Sequence, residues 1–365
     1  MITEFTLPLL AIPVGLLIAA PATWLVRIWS IRSGFIDKPG GHKAHAAPVA
    51  LGGGVAISAA VVLPILVGIF VARFLHAAPP TWLPAALVPH LGGIVARLPI
   101  ALAIAGAAIV MCGLGAIDDR RPLGPGLKFL IQFAVAAGLV IFCNLRLLTH
   151  LGAPISIALS ILWIVTLTNS LNFLDNMDGL AAGVAAIAAS IFAISSMLAG
   201  QIFVPVCCWL LVGALLGFLP FNIHPARIYM GDAGSTVIGL LLAVFTILTT
   251  FVDPEHADRP LGVLSPLVVM AVPLYDTASV FFIRWRLGVP LWRGDRRHFS
   301  HRLVKRGMST RKAVLVIWLA TLVTAMPALF LPKAEWHEAW IIVIHTLLVV
   351  TLVALLESSG DHDKP

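Results

Sequence analysis

Long apolar runs separated by short polar segments extend along almost all of the 365-residue chain. A run of about 20 apolar residues is long enough to cross a bilayer as one α-helix. The pattern therefore predicts an all-α polytopic membrane protein, with one integral-membrane domain over residues 1–356 and a polar tail at 357–365. The eleven predicted spans are 7–26, 54–74, 98–117, 129–143, 155–171, 180–199, 202–221, 235–252, 261–283, 312–331 and 340–356.

The composition supports this class of protein. The chain is 59% hydrophobic and only 11% charged, whereas a soluble domain carries about 25% charged residues. The first run, 7–26, lacks a basic start and a clear small-residue cleavage site, so we expect a retained span rather than a signal peptide. The cysteines match neither a metal site nor a disulfide framework. They are Cys112, Cys143, Cys207 and Cys208.

The distribution of positive charge predicts an orientation. Most of the 24 lysines and arginines fall in alternate polar segments, which lie on one side of the predicted bundle. The positive-inside rule makes that side cytoplasmic. The N-terminus is then outside and the C-terminus is cytoplasmic, and the net charge of +7 needs no nucleic-acid partner to explain it.

The polar stretch Asn169–Gly179 lies between two apolar runs and is the first candidate site. Its residues Asn172, Asp175 and Asp178 are spaced three apart, so a helical turn could present them on one face. Carboxylate and amide oxygens suit Mg²⁺ or the polar edge of a ligand. Because carboxylates are expensive to place beside membrane-spanning segments, the stretch predicts a functional site.

Four further polar segments fall on the same predicted side. The adjacent carboxylates Asp118 and Asp119 could position a metal ion or supply a base. Asp232 stands between glycines, which let a ligand approach the backbone closely. The basic segment 295–306 suits anions such as phosphate, and the glycine-ended segment 37–54 could also receive phosphate. Together the five segments predict a cytoplasmic site at the membrane surface that binds Mg²⁺ and phosphates. A pyrophosphate bond would be attacked or formed there, with Mg²⁺ neutralising charge, and the other substrate could be a lipid.

Asp276 is a further carboxylate inside a predicted span. A carboxylate at such a position is expected to face a partner rather than lipid. Spacing assigns Asp276 no role, and bracing of the basic segment 295–306 is one interpretation.

Five ordered motifs carry a resemblance to a known family. They are KxHxxP…GG over Lys43–Gly53, DD at Asp118–Asp119, NxxNxxDxxDGL over Asn169–Leu180, FN…PA…MGDAGS over Phe221–Ser235 and HxxHRL over His298–Leu303. In this order, over roughly residues 5–330, the chain resembles the polyprenyl-phosphate N-acetylhexosamine-1-phosphate transferases of the glycosyltransferase 4 type. The phospho-MurNAc-pentapeptide translocase of peptidoglycan synthesis is related to this family.

The resemblance implies an activity and its setting. A Mg²⁺-dependent enzyme, with Mn²⁺ as the alternative ion, would transfer an N-acetylhexosamine 1-phosphate from a UDP-sugar to undecaprenyl phosphate and release UMP. GlcNAc 1-phosphate is the expected group, and the product would start a lipid-linked cell-envelope glycan such as lipopolysaccharide. The implied location is the inner (plasma) membrane, with a cytoplasmic active site and a homodimer as one known assembly.

The resemblance also implies roles for individual residues. Asp232 and Asn172 would hold the metal ion. The expected catalytic residues are Asp118, Asp119 and Asp175, of which Asp118 or Asp119 would orient or deprotonate the lipid phosphate. The expected substrate-binding residues are Lys43, His45, Lys128, Asp178, Asn222, Tyr229, Arg297, His298, His301 and Arg302.

Within the substrate-binding set, the resemblance divides the residues between parts of the substrates. Lys43 and Lys128 would contact phosphates. Asp178 would meet the uracil edge, with Tyr229 stacked on the base. The histidines and arginines of the last motif would recognise the sugar and phosphate.

Several alternatives stay open at this point. The peptidoglycan translocase, or a transferase for another UDP-N-acetylamino sugar, is the alternative within the class. The Lys43–Ala44–His45 sequence and Ser300 between the last histidines favour the GlcNAc branch. From a different class, an ion-coupled secondary transporter would place its carboxylates near the bilayer midplane. A catalytically inactive lipid-binding protein would tolerate the loss of these carboxylates, all of which are present.

Overall fold

The computed structural model describes residues 6–37, 48–81, 83, 88–249, 260–290 and 297–358, which are overwhelmingly helical. The α-helices of these ranges are α1 (Ala11–Ser33), α2 (Gly53–Ala77), α3 (Val88–Ala96), α4 (Leu98–Arg120), α5 (Pro125–Phe142), α6 (Ala153–Leu174), α7 (Leu180–Leu198), α8 (Phe203–Asn222), α9 (Asp232–Leu248), α10 (Ser265–Val269), α11 (Ala271–Arg286), α12 (Phe299–Lys305), α13 (Thr310–Ala325) and α14 (Trp336–Ser358). Two short strands, β1 (Ile36–Asp37) and β2 (Val49–Ala50), pair antiparallel.

The polytopic α-helical class predicted from the sequence is confirmed. Within the described ranges, nine helices are long and apolar enough to cross a membrane. They are Pro8–Ser33, Gly53–Ala77, Leu98–Arg120, Pro125–Phe142, Ala153–Leu174, Leu180–Leu198, Phe203–Asn222, Thr310–Lys333 and Trp336–Glu357. The pair Leu261–Val269 and Ala271–Arg286, bent by 65°, is one further span if it crosses as a unit. The number of eleven spans and the orientation stay predictions.

Helix α9 lies at the centre of the bundle. Every residue from Ala233 to Thr246 is buried, and the helix packs against α2, α4, α6, α7 and α8. A helix that is apolar on all sides is expected to be enclosed in this way. It has only 17 residues, and because protein surrounds it, its neighbours rather than the hydrocarbon thickness set its length.

Two glycines allow neighbouring helices to approach the N-terminal end of α9. A Cβ atom on Gly115 of α4 would lie 2.3 Å from the backbone nitrogen of Ala233. A Cβ atom on Gly54 of α2 would lie 2.0 Å from the backbone nitrogen of Gly234. Small residues at helix crossings let backbones meet closely, so these two positions bring α2 and α4 to the start of the central helix.

The segment that leads into α9 is held by backbone hydrogen bonds. Tyr229 N donates to Ala50 O at 2.8 Å, and Gly53 N donates to Tyr229 O at 2.9 Å. Gly54 N donates to Met230 O at 3.0 Å. The strand β2 and the start of α2 therefore position the residues just before Asp232.

The C-terminal helix extends slightly further than the sequence suggested. The polar tail was predicted to start at residue 357, but α14 continues through Ser358. Glu357 is only partly accessible and bonds Tyr275 Oη and Arg302 Nη2, at 2.5 and 2.8 Å. These contacts join the C-terminal end of α14 to α11 and α12, and residues 359–365 lie outside the described ranges.

We expect Gly115→Ala to destabilise the protein by about 1–3 kcal/mol, the usual range for overpacking. The added methyl group would meet the backbone of α9 instead of a movable side chain. Gly113→Ala is the matched control, since a Cβ atom at Gly113 of the same helix meets nothing within 4 Å. The apparent midpoint of thermal unfolding in one detergent measures both, and equal midpoints would contradict the packing argument.

Candidate functional site

The site starts at the N-terminus of α9, where a carboxylate from α4 caps the helix. Asp232 N donates to Asp119 Oδ1 at 2.9 Å, and Ala233 N donates to Asp119 Oδ2 at 3.3 Å. A negative charge is favourable at a helix N-terminus, where backbone N–H groups lack helical partners. Gly231 precedes the helix with φ +68°, and a Cβ atom there would lie 2.3 Å from Asp119 Oδ2. Glycine is therefore required for this close contact.

Lys128 connects three helices through two carboxylates. Its Nζ lies 2.9 Å from Asp118 Oδ2 and also contacts Asp232 Oδ2. The other oxygen of Asp118 accepts a hydrogen bond from Leu123 N at 2.7 Å. The three charged side chains are 15–24% exposed, so the bridge joins α4, α5 and α9 while a ligand can still reach it.

Asn172 joins α6 to the same cluster. Its Nδ2 donates to Asp232 Oδ1 at 2.8 Å and to Ser235 Oγ at 2.9 Å. The structure thus brings together the two residues expected to hold a metal ion, from segments 60 positions apart. The sequence places Ser235 in a motif but predicts no role for its side chain. Its contact with Asn172 depends on helix packing, which the spacing of the residues does not reveal.

Asp175 ends α6 beside these carboxylates. Within the described ranges its carboxyl oxygens form no hydrogen bond. Burial, followed by the charges of Asp232, Asp119 and Asp178, raises the pKa of Asp175 well above its usual value. The cluster therefore holds more negative charge than Lys128 balances.

Asp178 and Tyr229 lie close enough for the charge of one to act on the other. Asp178 Oδ2 accepts hydrogen bonds from Ala226 N at 3.0 Å and from His224 Nδ1 at 2.7 Å. Burial and then the charge of Asp178 raise the pKa of the Tyr229 phenol, so the phenol stays neutral. His224 was not singled out from the sequence, because its partner is 46 residues away.

Asn222, expected to bind substrate, has hydrogen-bond partners within the protein. It is buried, its Oδ1 accepts from Gly179 N at 3.0 Å, and its Nδ2 donates to Ile228 O at 3.0 Å. Both polar atoms are used within the protein. Asn222 thereby joins the loop before α7 to the segment before α9, and its contact with a substrate stays a prediction.

The basic segment is anchored through α12. His298 Nδ1 bonds Asp276 Oδ2 at 2.7 Å, and Ser300 Oγ donates to Asn176 Oδ1 at 2.5 Å. Arg302 Nη2 pairs with Glu357 Oε1 of α14 at 2.8 Å. Arg302, expected to bind substrate, is therefore engaged in an ion pair between helices.

Two of the remaining predicted residues lie in the described part of the chain, and two do not. His301 lies on α12 and is partly exposed, and Arg297 just precedes that helix. The backbone oxygen of Arg297 accepts a hydrogen bond from the Arg302 guanidinium. Lys43 and His45 lie outside the described residues, so their expected phosphate contacts stay predictions.

The donor set at the cluster suits a hard divalent cation. In the part of the chain that the structure describes, no three His, Cys, Asp or Glu side chains form a ready-made metal site. Asp232 and Asn172 nevertheless supply a carboxylate and an amide side by side, the oxygen ligands that Mg²⁺ accepts. The unbalanced negative charge around Asp175 also favours a cation there.

Fold and site together define a polytopic membrane protein with a carboxylate-rich site at one end of its bundle. Residues 101–250 match glycosyl transferase family 4. The chain is 30% identical over 357 residues to a probable undecaprenyl-phosphate N-acetylglucosaminyl 1-phosphate transferase of Bacillus subtilis, covering 95% of this chain and 90% of that protein. The chain belongs to glycosyl transferase family 4.

Further relatives agree with this assignment. A decaprenyl-phosphate N-acetylglucosaminephosphotransferase of Mycolicibacterium smegmatis is 32% identical, covering 93% of this chain and 86% of that protein. An undecaprenyl-phosphate alpha-N-acetylglucosaminyl 1-phosphate transferase of Escherichia coli K12 is 25% identical, covering 87% of this chain and 82% of that protein. The family assignment also removes the secondary transporter as an alternative.

We expect Lys128→Met to lower the free energy of unfolding by about 1–3 kcal/mol. This range lies between the losses typical of breaking an exposed and a buried ion pair. The variant would leave Asp118 and Asp232 without their shared cation. Asp118→Asn should destabilise the wild type but stabilise the Lys128→Met variant, because it then removes an unpaired charge. Thermal unfolding of the four proteins measures this cycle. The same effect of Asp118→Asn in both backgrounds would show that the bridge is not coupled.

We also expect the Asp175 carboxyl to make stability depend on pH. The pKa of Asp175 is raised in the folded state. Its contribution to the stability of the fold is therefore fully present below the pKa of the unfolded chain, about 4. That contribution is lost as the pH rises through the pKa of the folded state. Asp175→Asn keeps a neutral side chain, and should therefore be more stable than the wild type toward alkaline pH. Unfolding midpoints between about pH 5 and pH 8, in a chelator, measure the difference.

Asp178→Asn is the control for this pH experiment. The Asp178 carboxylate accepts two hydrogen bonds, and its replacement should lower stability instead of raising it. If Asp175→Asn follows the wild type in parallel across the pH range, then Asp175 does not titrate as the burial argument requires.

Proposed function

We propose that the protein transfers GlcNAc 1-phosphate from UDP-GlcNAc to a polyprenyl phosphate and releases UMP. Relatives that match most of this chain are named as undecaprenyl- or decaprenyl-phosphate transferases of N-acetylglucosaminyl 1-phosphate. In this reaction an oxygen of the lipid phosphate attacks the sugar-bearing phosphorus of the donor. The new P–O bond forms as the bond between the two donor phosphates breaks, and UMP carries away the bridging oxygen.

One observation supports this proposal most directly, namely the Asp118–Lys128–Asp232 bridge beside Asn172. Phosphoryl transfer depends on positioning and on neutralising charge rather than on covalent chemistry by the protein. Lys128 is a cation held between carboxylates, and it can exchange one of them for a phosphate oxygen.

The two adjacent carboxylates are suited to different tasks. Asp119 uses both oxygens to accept backbone N–H groups of α9, so it holds the helix in place. Asp118 Oδ2 is bound by Lys128, and becomes available when Lys128 moves to a substrate phosphate. Asp118 is therefore the better candidate to orient the lipid phosphate or accept its proton.

We infer that Asp232 and Asn172 would hold Mg²⁺, because a carboxylate and an amide lie side by side there and Mg²⁺ accepts the oxygens of both groups as ligands. When bound, the ion would neutralise charge on the donor pyrophosphate. Asp178 and Tyr229 would then receive the nucleotide base, since a carboxylate and an aromatic ring lie close together there. The proposed orientation places this site at the cytoplasmic face of the inner membrane, because most lysines and arginines lie in the loops on that side.

The proposal is tested with purified protein in detergent, undecaprenyl phosphate and Mg²⁺. UDP-GlcNAc, UDP-GalNAc and UDP-MurNAc-pentapeptide are offered separately, and UMP release is followed. We expect UMP from UDP-GlcNAc and its loss when Mg²⁺ is chelated. UMP from the pentapeptide donor alone would assign the protein to peptidoglycan synthesis, and no UMP from any donor with folded protein would contradict the proposal.

Two variants serve as controls for this assay. Asp232→Asn should reduce UMP release by about 100-fold or more, the scale of losing one major electrostatic contact. Glu338→Gln should retain activity. Like Asp119, Glu338 is a carboxylate that accepts a backbone N–H group, here from Glu335 N at 2.8 Å. Glu338 lies at the start of α14, about 30 Å along the helix from the end that contacts Arg302.

A further inference from the structure

Asp276 is a fully buried carboxylate within α11 that reaches the basic segment. It is 0% exposed, and its partner His298 is 5% exposed. Asp276 Oδ2 lies 2.7 Å from His298 Nδ1, and Asp276 Oδ1 accepts a hydrogen bond from Phe299 N at 2.9 Å. Both oxygens are thus used by the first residues of the α12 segment, which confirms the contact that bracing would require.

We propose that Asp276 is a positioning residue that holds His298 in the tautomer with the proton on Nδ1. A carboxylate has no proton to donate, so the nitrogen facing it must carry one. The second nitrogen, Nε2, then lacks a proton in the neutral ring and can only accept. Among the described residues, no group forms a hydrogen bond with Nε2.

The surroundings of His298 place its ring beside the candidate site. The His298 ring centroid is 6.1 Å from that of Phe173, which directly follows Asn172. Ser300, two residues further on, donates to Asn176 in the loop that also holds Asp175. Resting on the proposed function, we assign Nε2 to a hydrogen-bond donor of the bound sugar, a hydroxyl or the acetamido N–H.

An amide cannot replace this carboxylate. The side chain at position 276 receives two donors, one from the His298 ring and one from the Phe299 backbone. Asparagine offers one acceptor and one donor. In either orientation of the amide, one N–H group would face another N–H group, or His298 would have to shift its proton to Nε2.

The first experiment measures kcat and KM for UDP-GlcNAc in a double-mutant cycle. Asp276→Asn should lower kcat/KM by about 10- to 100-fold, the scale on which partners that orient a histidine act. The loss should appear mainly in KM. In a His298→Ala background the same change should have an effect under about 3-fold, because Asp276 acts through that ring.

Thr277→Val is the matched control in the same helix. Thr277 Oγ1 donates only to Pro273 O, at 3.0 Å, so its loss removes a buried hydrogen bond without touching His298. We expect near wild-type kinetics. If Asp276→Asn is equally harmful with and without His298, the carboxylate merely caps α12 and the proposal is overturned.

A spectroscopic measurement tests the tautomer without any variant of Asp276. In the NMR spectrum of the ¹⁵N-histidine-labelled wild type, the signals of His298 are identified as those that are missing from the spectrum of the His298→Gln variant. We expect a protonated Nδ1 and an unprotonated Nε2 in the neutral ring. The opposite pattern would overturn the proposal. This measurement decides the question even if Asp276→Asn does not fold. Because this result does not depend on UMP release, it separates failure of the tautomer from failure of the proposed function.

Discussion

The clustering of carboxylates at the start of α9 is the constraint on which the rest of the site depends. Charges next to apolar spans are costly unless they are paired. Here Lys128 meets Asp118 and Asp232, the first amides of α9 meet Asp119, and the pKa of Asp175 is raised by burial and by its neighbours. The cation and the helix end each relieve part of the same repulsion, and the part that remains contributes, after burial, to the raised pKa of Asp175.

This arrangement needs close helix packing before it needs any particular charge. Asp119 reaches the amides of α9 only because Gly115, one helical turn earlier, lets α4 lie against Asp232 and Ala233. Gly231 then leaves room for the carboxylate itself. Small residues in the bundle thus determine the electrostatics of the site.

The apolar runs were sufficient to predict the class of fold and the segments that carry the site, because bilayer length is a strong constraint on sequence. The pairing of Lys128 with Asp232 was not predictable, because the two residues are 104 positions apart and no periodicity relates them. Arg302 shows the same limit. A basic motif predicts an anionic partner, but only packing shows that Arg302 pairs with Glu357 of the last helix.

Ser300 shows how a difference in sequence can act without touching a ligand. Its place between two histidines favours the GlcNAc branch, and the side chain is 0% exposed and donates to Asn176. A larger or charged side chain there would displace α12 from the loop that holds Asp175. Ser300 therefore acts on the site by holding the start of α12 against that loop, next to His298.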